Sequence, residues 1–484
     1  MISQGWLGRA YRLFDRLLLS RLPASMQYAV ANGILAIVTR LFPARAWPTS
    51  PDRLLVRRHL LRAPMRQLPD WARADMVQLA LDVDPLLAPE QFLAQRPPAV
   101  LAPTHWIQAG RAYRSLIQDL HDRQFDTVLL VPWLIRGGAD LGALHHARAC
   151  SHAFGQRTLV IATEPRDSPW ASRLAEGVHF IAAGHEFAGL SEPNHEAETV
   201  LARLLIQLAP ARIHIINSHL AWRTVGMFGK AIRQQSRIFA SLYCDEYNQH
   251  GRRTGLAQTY LPATAHWLDA VISDNTVSPL EWQRMLGVSP ALFHTVHFPG
   301  PSPDPPLPPA ATTPRRNRIL WASRLDRQKR PEFLLELASS MQDFDWDIHG
   351  IPANIDARVL KALARLPNVS LHGSYERFRD IVRAEHLAYV YTTAWDGLPN
   401  VLLEAASARL PIIAPDIGGI RDLLPEALLL GAQADAGAYS SGIRRLADNR
   451  AREDHLALQE ARLQAFTWEN FVDGMRSIDG YATR

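Results

Sequence analysis

Between Phe298 and Arg316 the chain reads FPGPSPDPPLPPAATTPRR. So many prolines exclude the interior of a helix or sheet, because each removes an N–H donor and fixes φ. The segment is a stiff linker, and it divides two stretches of the same texture. Before it, from about Asp126, short apolar runs fall at Thr127–Leu134, Thr158–Ala162, Val178–Ile181, Ile213–Asn217, Ile238–Tyr243 and Val271–Ser273. Amphipathic helical patterns such as Ala139–Phe154 and His195–Leu208 lie between them. After it, strand runs recur at Arg318–Ala322, Trp346–His349, Val369–His372, Ala388–Thr393, Pro411–Ala414 and Ala427–Leu430. Helices are expected there at Pro331–Met341, Ala353–Arg365, Tyr375–Ala384, Pro399–Ala408, Gly437–Asp448 and Ala451–Ala465. Strand and helix in alternation build a parallel sheet covered on both faces. The fold class is therefore α/β, with two such sheets facing across a cleft that opens at the carboxyl ends of the strands.

The 484 residues suffice for two or three domains, and an apolar share of 47% supplies large cores. A formal charge of +5 is too mild to imply nucleic acid, and none is expected as a partner. That charge is concentrated near the start, where Arg9, Arg12, Arg16, Arg21, Arg40 and Arg45 precede more arginines up to Arg66, against only Asp15 and Asp52. Residues 1–46 read as helices. Trp6, Leu13, Phe14, Leu17 and Leu18 can share one face opposite Arg9, Arg12 and Arg16. Such a segment either packs on the body of the protein or lies on an anionic membrane. The apolar run Tyr28–Val38 is too short to span a bilayer, and arginines interrupt anything resembling a cleavable signal. Residues 51–125 look mostly helical, so residues 1–125 are expected to form a helical N-terminal extension.

Two cysteines, Cys150 and Cys244, imply no disulfide framework and fit a reducing cytosol. Neither CxxC nor HExxH occurs, and no metal is expected. The expected location is cytoplasmic, peripheral on the inner face of the cytoplasmic membrane if residues 1–46 are a membrane segment.

Four clusters should face the cleft from the second sheet. WDGLPNVLLEAASA, Trp395–Ala408, joins a strand to a helix through a short loop. Pro399 suits a first helical turn. The free amides around Gly397, Leu398, Asn400 and Val401 and the positive helix end point at one spot, a natural anion cradle. Asp396 and Glu404 beside that cradle make sense as ligands of hydroxyl groups, which suits a nucleotide sugar, with a diphosphate between two polyols. ASRLDRQKRPE, Ala322–Glu332, places Arg324 and Lys329 before a helix, where they can share the charge of a diphosphate. HGSY, His372–Tyr375, can present backbone at Gly373 to the edge of a base. In PDIGGIRD, Pro415–Asp422, the pair Gly418–Gly419 permits close backbone approach to a ligand, or is a turn.

Taken in order, R-x4-K after the first strand, D-x7-E, then a Gly-Gly turn, the second half resembles family 4 glycosyltransferases. The likeness is strong from Ile319 to Leu424 and looser over Asp126–Tyr481. It implies a GT-B architecture of two Rossmann-like domains, 126–300 for the acceptor and 317–465 for the nucleotide sugar, joined by the linker 301–316. Residues 466–484, with TWENF at Thr467–Phe471, would be the closing helix that crosses back to the first domain, anchored by Trp468. The resemblance assigns the donor diphosphate to Arg324 and Lys329, the ribose to Glu404 and the donor sugar to Asp396. Position 396 is Asp where the family has Glu, which shortens the reach by one methylene and is read as altered donor preference. In VPWLIRGGAD, Gly137 and Gly138 border the donor phosphates, and Arg136 adds charge. In SLYCDEYNQHG, Cys244 stands where many members have His, so Asp245 and Glu246 become the candidates for gripping donor or acceptor sugar, with His219 as an alternative imidazole. Asp396, Arg324, Lys329 and Asp245 are thus the expected catalytic set.

The implied reaction is metal-independent, cofactor-free transfer of a hexosyl or related sugar from a nucleotide diphosphate, with retention, to a glycan or lipid-linked glycan of a bacterial O-chain or exopolysaccharide. The alternative is a GT-B nucleotide- or glycan-binding module without turnover.

Overall fold

A computed structural model describes residues 106–120, 123–301 and 317–483, the helix Asp70–Asp82, and isolated positions before it. Most of residues 1–46 and of the Pro-rich linker thus lie outside the described residues. The chain forms two compact units, Met1–Ala112 and Tyr113–Arg484. In the first, Asp70–Asp82 is helical, as expected for this stretch.

The second unit holds both sheets. The first is built from β1 (Thr127–Val131), β2 (Thr158–Ala162), β3 (His179–Ala182), β4 (Arg212–Ile216) and β5 (Arg237–Ser241). A small antiparallel hairpin, β6 (Glu246–Tyr247) with β7 (Arg253–Thr254), then precedes β8 (Ala270–Ser273) and β9 (Phe293–Thr295). Their order is β3-β2-β1-β4-β5-β8-β9, with every neighbouring pair parallel. TVLLV, TLVIA and RIHII are buried at every position. That is the signature of strands covered on both faces.

The second sheet comprises β10 (Arg318–Ala322), β11 (Asp345–His349), β12 (Val369–His372), β13 (His386–Val390), β14 (Ile412–Pro415) and β15 (Leu429–Leu430). Its order is β12-β11-β10-β13-β14-β15, again parallel throughout. Side-chain oxygens of Asp356, Asp435, Asp448 and Thr467 cap the helices that begin after them.

The final helix, Trp468–Arg476, packs in the first sheet's core. Phe471, Val472, Met475 and Tyr481 join Leu129, Val131 and Phe239 in one buried cluster. The Arg148 guanidinium lies 4.3 Å from the Trp468 ring centroid. Phe298, at the head of the Pro-rich stretch, is buried in the same cluster.

The chain reverses direction across each sheet at its central strand. Those switch points lie between β1 and β4 and between β10 and β13. The loops leaving the carboxyl ends there diverge and leave a crevice, where open α/β sheets bind ligands. Here they border one cavity of 2330 Å³ lined from both sheets.

Candidate functional site

The loop after β10 is held by the turn it makes. Leu325 donates its amide to the Ile351 carbonyl (3.1 Å), and the Asp326 carboxylate accepts from the Lys329 amide (3.1 Å). Arg330 then adopts a left-handed φ of 54° to start the helix Pro331–Ser340. These constraints turn Lys329 inward, so that it is 6% exposed. Its Nζ donates to the Tyr391 hydroxyl (2.5 Å) and to the Asp396 carboxylate. Tyr391 in turn donates to Asp396 (2.6 Å), and the Thr393 hydroxyl adds a third donor (3.3 Å). Arg324 stays at the solvent edge, paired with Asp326 (3.3 Å) and Gln328 (2.9 Å).

Gln328 also fastens the loop after β13. Its side chain donates to the Trp395 carbonyl (2.7 Å), and its own carbonyl accepts from Ala394 (2.8 Å). Asp396 is followed by Gly397, Leu398 and Pro399, and the helix Asn400–Ser407 begins with no side-chain cap. The Asn400 and Val401 amides have no acceptor among the described residues and open toward the cavity both residues line. The Asn400 side chain crosses the crevice to the Gly138 carbonyl (3.2 Å). Glu404 lines the same cavity, and burial pushes its carboxyl up to about 7 against the pull of the Arg136 charge.

From the first sheet, the loop after β1 brings Arg136 over the Tyr375 ring (4.5 Å) and onto the Glu376 carbonyl (3.3 Å). A Cβ at Gly137 would meet the Asp140 carboxylate at 2.7 Å. Asp140 in turn accepts the Ile135 amide (3.2 Å), which shapes the turn. His219 lines the cavity with Nδ1 3.0 Å from the Tyr260 hydroxyl.

Several expectations need revision. Asp245 does not line the cavity. It is buried and pairs with Arg253 (3.3 Å) and Gln258 (3.3 Å), and its pKa is raised by desolvation. Its neighbours Cys244 and Glu246 do line the cavity. Gly373 also stays off the lining, its carbonyl accepting from the Gly350 amide (3.1 Å); Ser374 and Tyr375 line it instead. Gly418 and Gly419 serve approach to protein rather than to a ligand. A Cβ on Gly418, whose φ is 55°, would lie 1.9 Å from the Asp396 carbonyl oxygen, and one on Gly419 would lie 2.4 Å from Asn275 Cβ. The helix expected over Tyr375–Ala384 shrinks to Phe378–Ile381.

Sequence reasoning also missed Asp274. It follows β8, is buried, and accepts hydrogen bonds from Asn275 (2.7 Å) and from the Leu398 backbone. Burial raises its pKa to about 8. A Cβ at Gly397 would meet Asp274 Oδ1 at 3.0 Å, so this acid of the first sheet fixes the position of the donor-side loop. Nothing near Ser273–Asn275 in the sequence signals a partner more than a hundred residues away. Tyr391 was read only as a strand residue, because its hydroxyl finds Lys329 through the fold alone.

Comparison with known proteins places this geometry. Residues 316–449 match the model of the family "Glycosyl transferases group 1". The Escherichia coli O-antigen biosynthesis glycosyltransferase WbnH is 23% identical over 178 residues, 36% of this chain and 50% of that protein. The probable O-antigen biosynthesis glycosyltransferase WbiN of the same organism matches to the same extent. The chain thus spans about half the length of the curated relatives it matches. Among solved structures, the lipopolysaccharide outer core galactosyltransferase WaaB superposes with a TM-score of 0.54 at 15% identity, over 72% of this chain and 99% of that one. Anabaena Alr3699/HepE in complex with UDP and glucose gives 0.56 at 14% identity, over 73% and 98%. Sucrose-phosphate synthase from Thermosynechococcus elongatus gives 0.56 at 20% identity, over 73% and 98%. The chain therefore has the GT-B fold, and its residues 316–449 carry the pattern of glycosyl transferases group 1.

Proposed function

We propose that this protein is a retaining glycosyltransferase that moves a sugar from a nucleoside diphosphate to a glycan or lipid-linked glycan in bacterial surface polysaccharide synthesis. One observation carries the reading. Lys329, Arg324, Asp396, Glu404 and the two free amides of Asn400 and Val401 come from two separate segments and border one crevice at a topological switch point. The O-antigen enzymes that match the chain, and a same-fold structure holding UDP and glucose, support the donor and pathway class.

In this reading the diphosphate sits on the Asn400 and Val401 amides, with Lys329 and Arg324 as its counter-charges. Glu404, ionised, accepts the ribose hydroxyls, and Asp396 accepts a hydroxyl of the donor sugar. As the glycosidic bond breaks, negative charge grows on the leaving phosphate and the sugar becomes oxocarbenium-like. The two cations and the helix end stabilise that charge in a crevice that excludes water. The acceptor hydroxyl attacks from the face the phosphate leaves, so configuration is retained. Its proton passes to the departing phosphate. Because the two basic side chains supply the counter-charge, activity should survive chelation of divalent ions, which an assay with excess EDTA checks. A thermal-shift screen of uridine, guanosine, thymidine and adenosine diphosphates tests donor binding. Proton NMR of the product's anomeric centre tests retention. Stabilisation by none of the four nucleotides would favour a GT-B binding module without turnover, the reading that Asp396 and Cys244 also support.

The acceptor is proposed to grow at a membrane. Among the described residues no helix is long and apolar enough to cross one. Leu13, Leu17 and Leu18 are each more than half exposed, at spacings that share a helical face. That arrangement supports peripheral contact through residues 1–46. Flotation with anionic vesicles should fall when residues 1–46 are removed, and equal floating fractions would refute the contact.

A further inference from the structure

The loops after β1 and β2 are stitched together at the acceptor side of the crevice. Glu164 donates its amide to the Pro132 carbonyl (2.9 Å), Leu134 donates to the Ser168 hydroxyl (3.0 Å), and Trp170 donates to the Leu134 carbonyl (3.0 Å). On this shared platform two arginines lie over two indoles. The Arg166 guanidinium is 4.8 Å from the Trp133 ring centroid, and that of Arg173 is 4.1 Å from Trp170. All four residues line the cavity.

Neither arginine has a carboxylate within ion-pair distance among the described residues, although Glu164 shares the wall. Of the arginines outside the cavity lining, Arg148, Arg203 and Arg330 also lie over rings, whereas others are ion-paired. Arg157, Arg233, Arg358, Arg421, Arg444 and Arg476 each pair with an aspartate. Stacking occupies only the face of a guanidinium. It orients the group and leaves the N–H donors on its edge free to grip a planar or tetrahedral anion. Two such forks, held by rings and outside ion-pair distance of the Glu164 and Asp140 carboxylates that share the wall, can receive negative charge.

We propose that Arg166 and Arg173 select an acceptor glycan bearing an anionic group, a carboxylate or a phosphate, on this wall. The inference rests on the transferase reading and adds the acceptor's chemical class to it.

The test uses the full chain, saturated with whichever nucleoside diphosphate binds, and three trisaccharide probes read by saturation-transfer NMR. One probe is a neutral glucan, one ends in glucuronate and one carries glucose 6-phosphate. Each acidic probe that fits the wall should bind at least about tenfold more tightly than the neutral one, as expected for charge-assisted guanidinium contacts. The stronger of the two acidic arms distinguishes carboxylate from phosphate. The double variant Arg166→Ala/Arg173→Ala should bring that ratio to one with nucleotide affinity unchanged. Arg166→Lys/Arg173→Lys, which keeps charge but loses the stacked fork, should restore part of it. Equal affinities for neutral and acidic probes, or a ratio that survives the alanine substitutions, overturn the inference. Nucleotide binding in the same sample separates the two failures. If it persists, only the acceptor assignment falls; if it is absent, the transferase reading falls as well.

Discussion

The cations that matter most on the two walls of the crevice are held in different ways. On the second-sheet side, Lys329 is held by Asp396 and Tyr391 and Arg324 by Asp326, while Arg327 lies over the Trp395 ring. On the first-sheet side, Arg166 and Arg173 rest on Trp133 and Trp170 with no carboxylate within ion-pair distance among the described residues, while Arg223 pairs with Glu198. The difference has a physical reading. Lys329 is buried, and a buried ammonium without a partner is costly. It needs a counter-ion, and Asp396 fills that role; in the proposed reaction a donor diphosphate would share it. The acceptor-side guanidiniums are exposed, so water suffices and no acid is required.

The largest effect should come from removing the buried cation. Lys329→Met should cut turnover at least about a hundredfold, the scale of losing one preorganised donor to a developing charge. It also strands Asp396 and Tyr391, so a thermal melt must accompany the kinetics. Normal turnover in a folded variant would break the contrast between the walls. Arg324→Ala should lower turnover on the order of a hundredfold as well. Because Arg324 is exposed, its melting temperature should stay put, and an unchanged kcat would remove it from the phosphate site.

Gly418→Ala should cost about 1–3 kcal/mol, since it combines a left-handed φ with a Cβ in contact with the Asp396 carbonyl. Denaturant unfolding measures this, and a neutral result would mean the donor loop is more yielding than its packing implies. The smallest effect concerns Glu404, whose carboxyl is pushed up to about 7 from an ordinary value near 4.5. A raised carboxyl pKa favours folding fully below the unfolded value, and that contribution is lost as pH rises through the folded one. Wild-type stability relative to Glu404→Gln should therefore decline between about pH 4.5 and 7. Nucleotide affinity should move the other way, rising through pH 7 as the carboxylate proposed to hold the ribose forms. Calorimetry should show Glu404→Gln about tenfold weaker at pH 8, with no such slope; a slope that persists would assign it to another group.

That Arg324, Lys329, Asp396 and Glu404 line the crevice was legible because they sit on the loop or helix that leaves a strand end. Arg324 and Lys329 follow β10, and Asp396 and Glu404 follow β13, so placing those strands placed the side chains. Strands Arg318–Ala322 and Val369–His372 match their expected bounds for the same reason: each is a clear apolar run. The β6–β7 hairpin and β9 left no such trace, since two or three residues carry no periodicity to read. Asp245 leaves the lining that its neighbours Cys244 and Glu246 keep, and a loop sequence does not reveal which way each side chain turns. The Gly418–Gly419 pair correctly signalled close approach, yet what approaches is the Asp396 loop and Asn275.

The sequence by itself determined the alternating α/β order, the proline break near residue 300 and the cluster of donor-side motifs, because each is written in neighbouring residues. Only the tertiary structure decided which charges are neutralised and which remain open, that Asp274 pins Leu398 from the opposite sheet, and that two arginines find two tryptophans on adjoining loops. Lys329 with Asp396, Asp274 with Leu398 and Arg166 with Trp133 each meet across distances along the chain that only the folded packing closes.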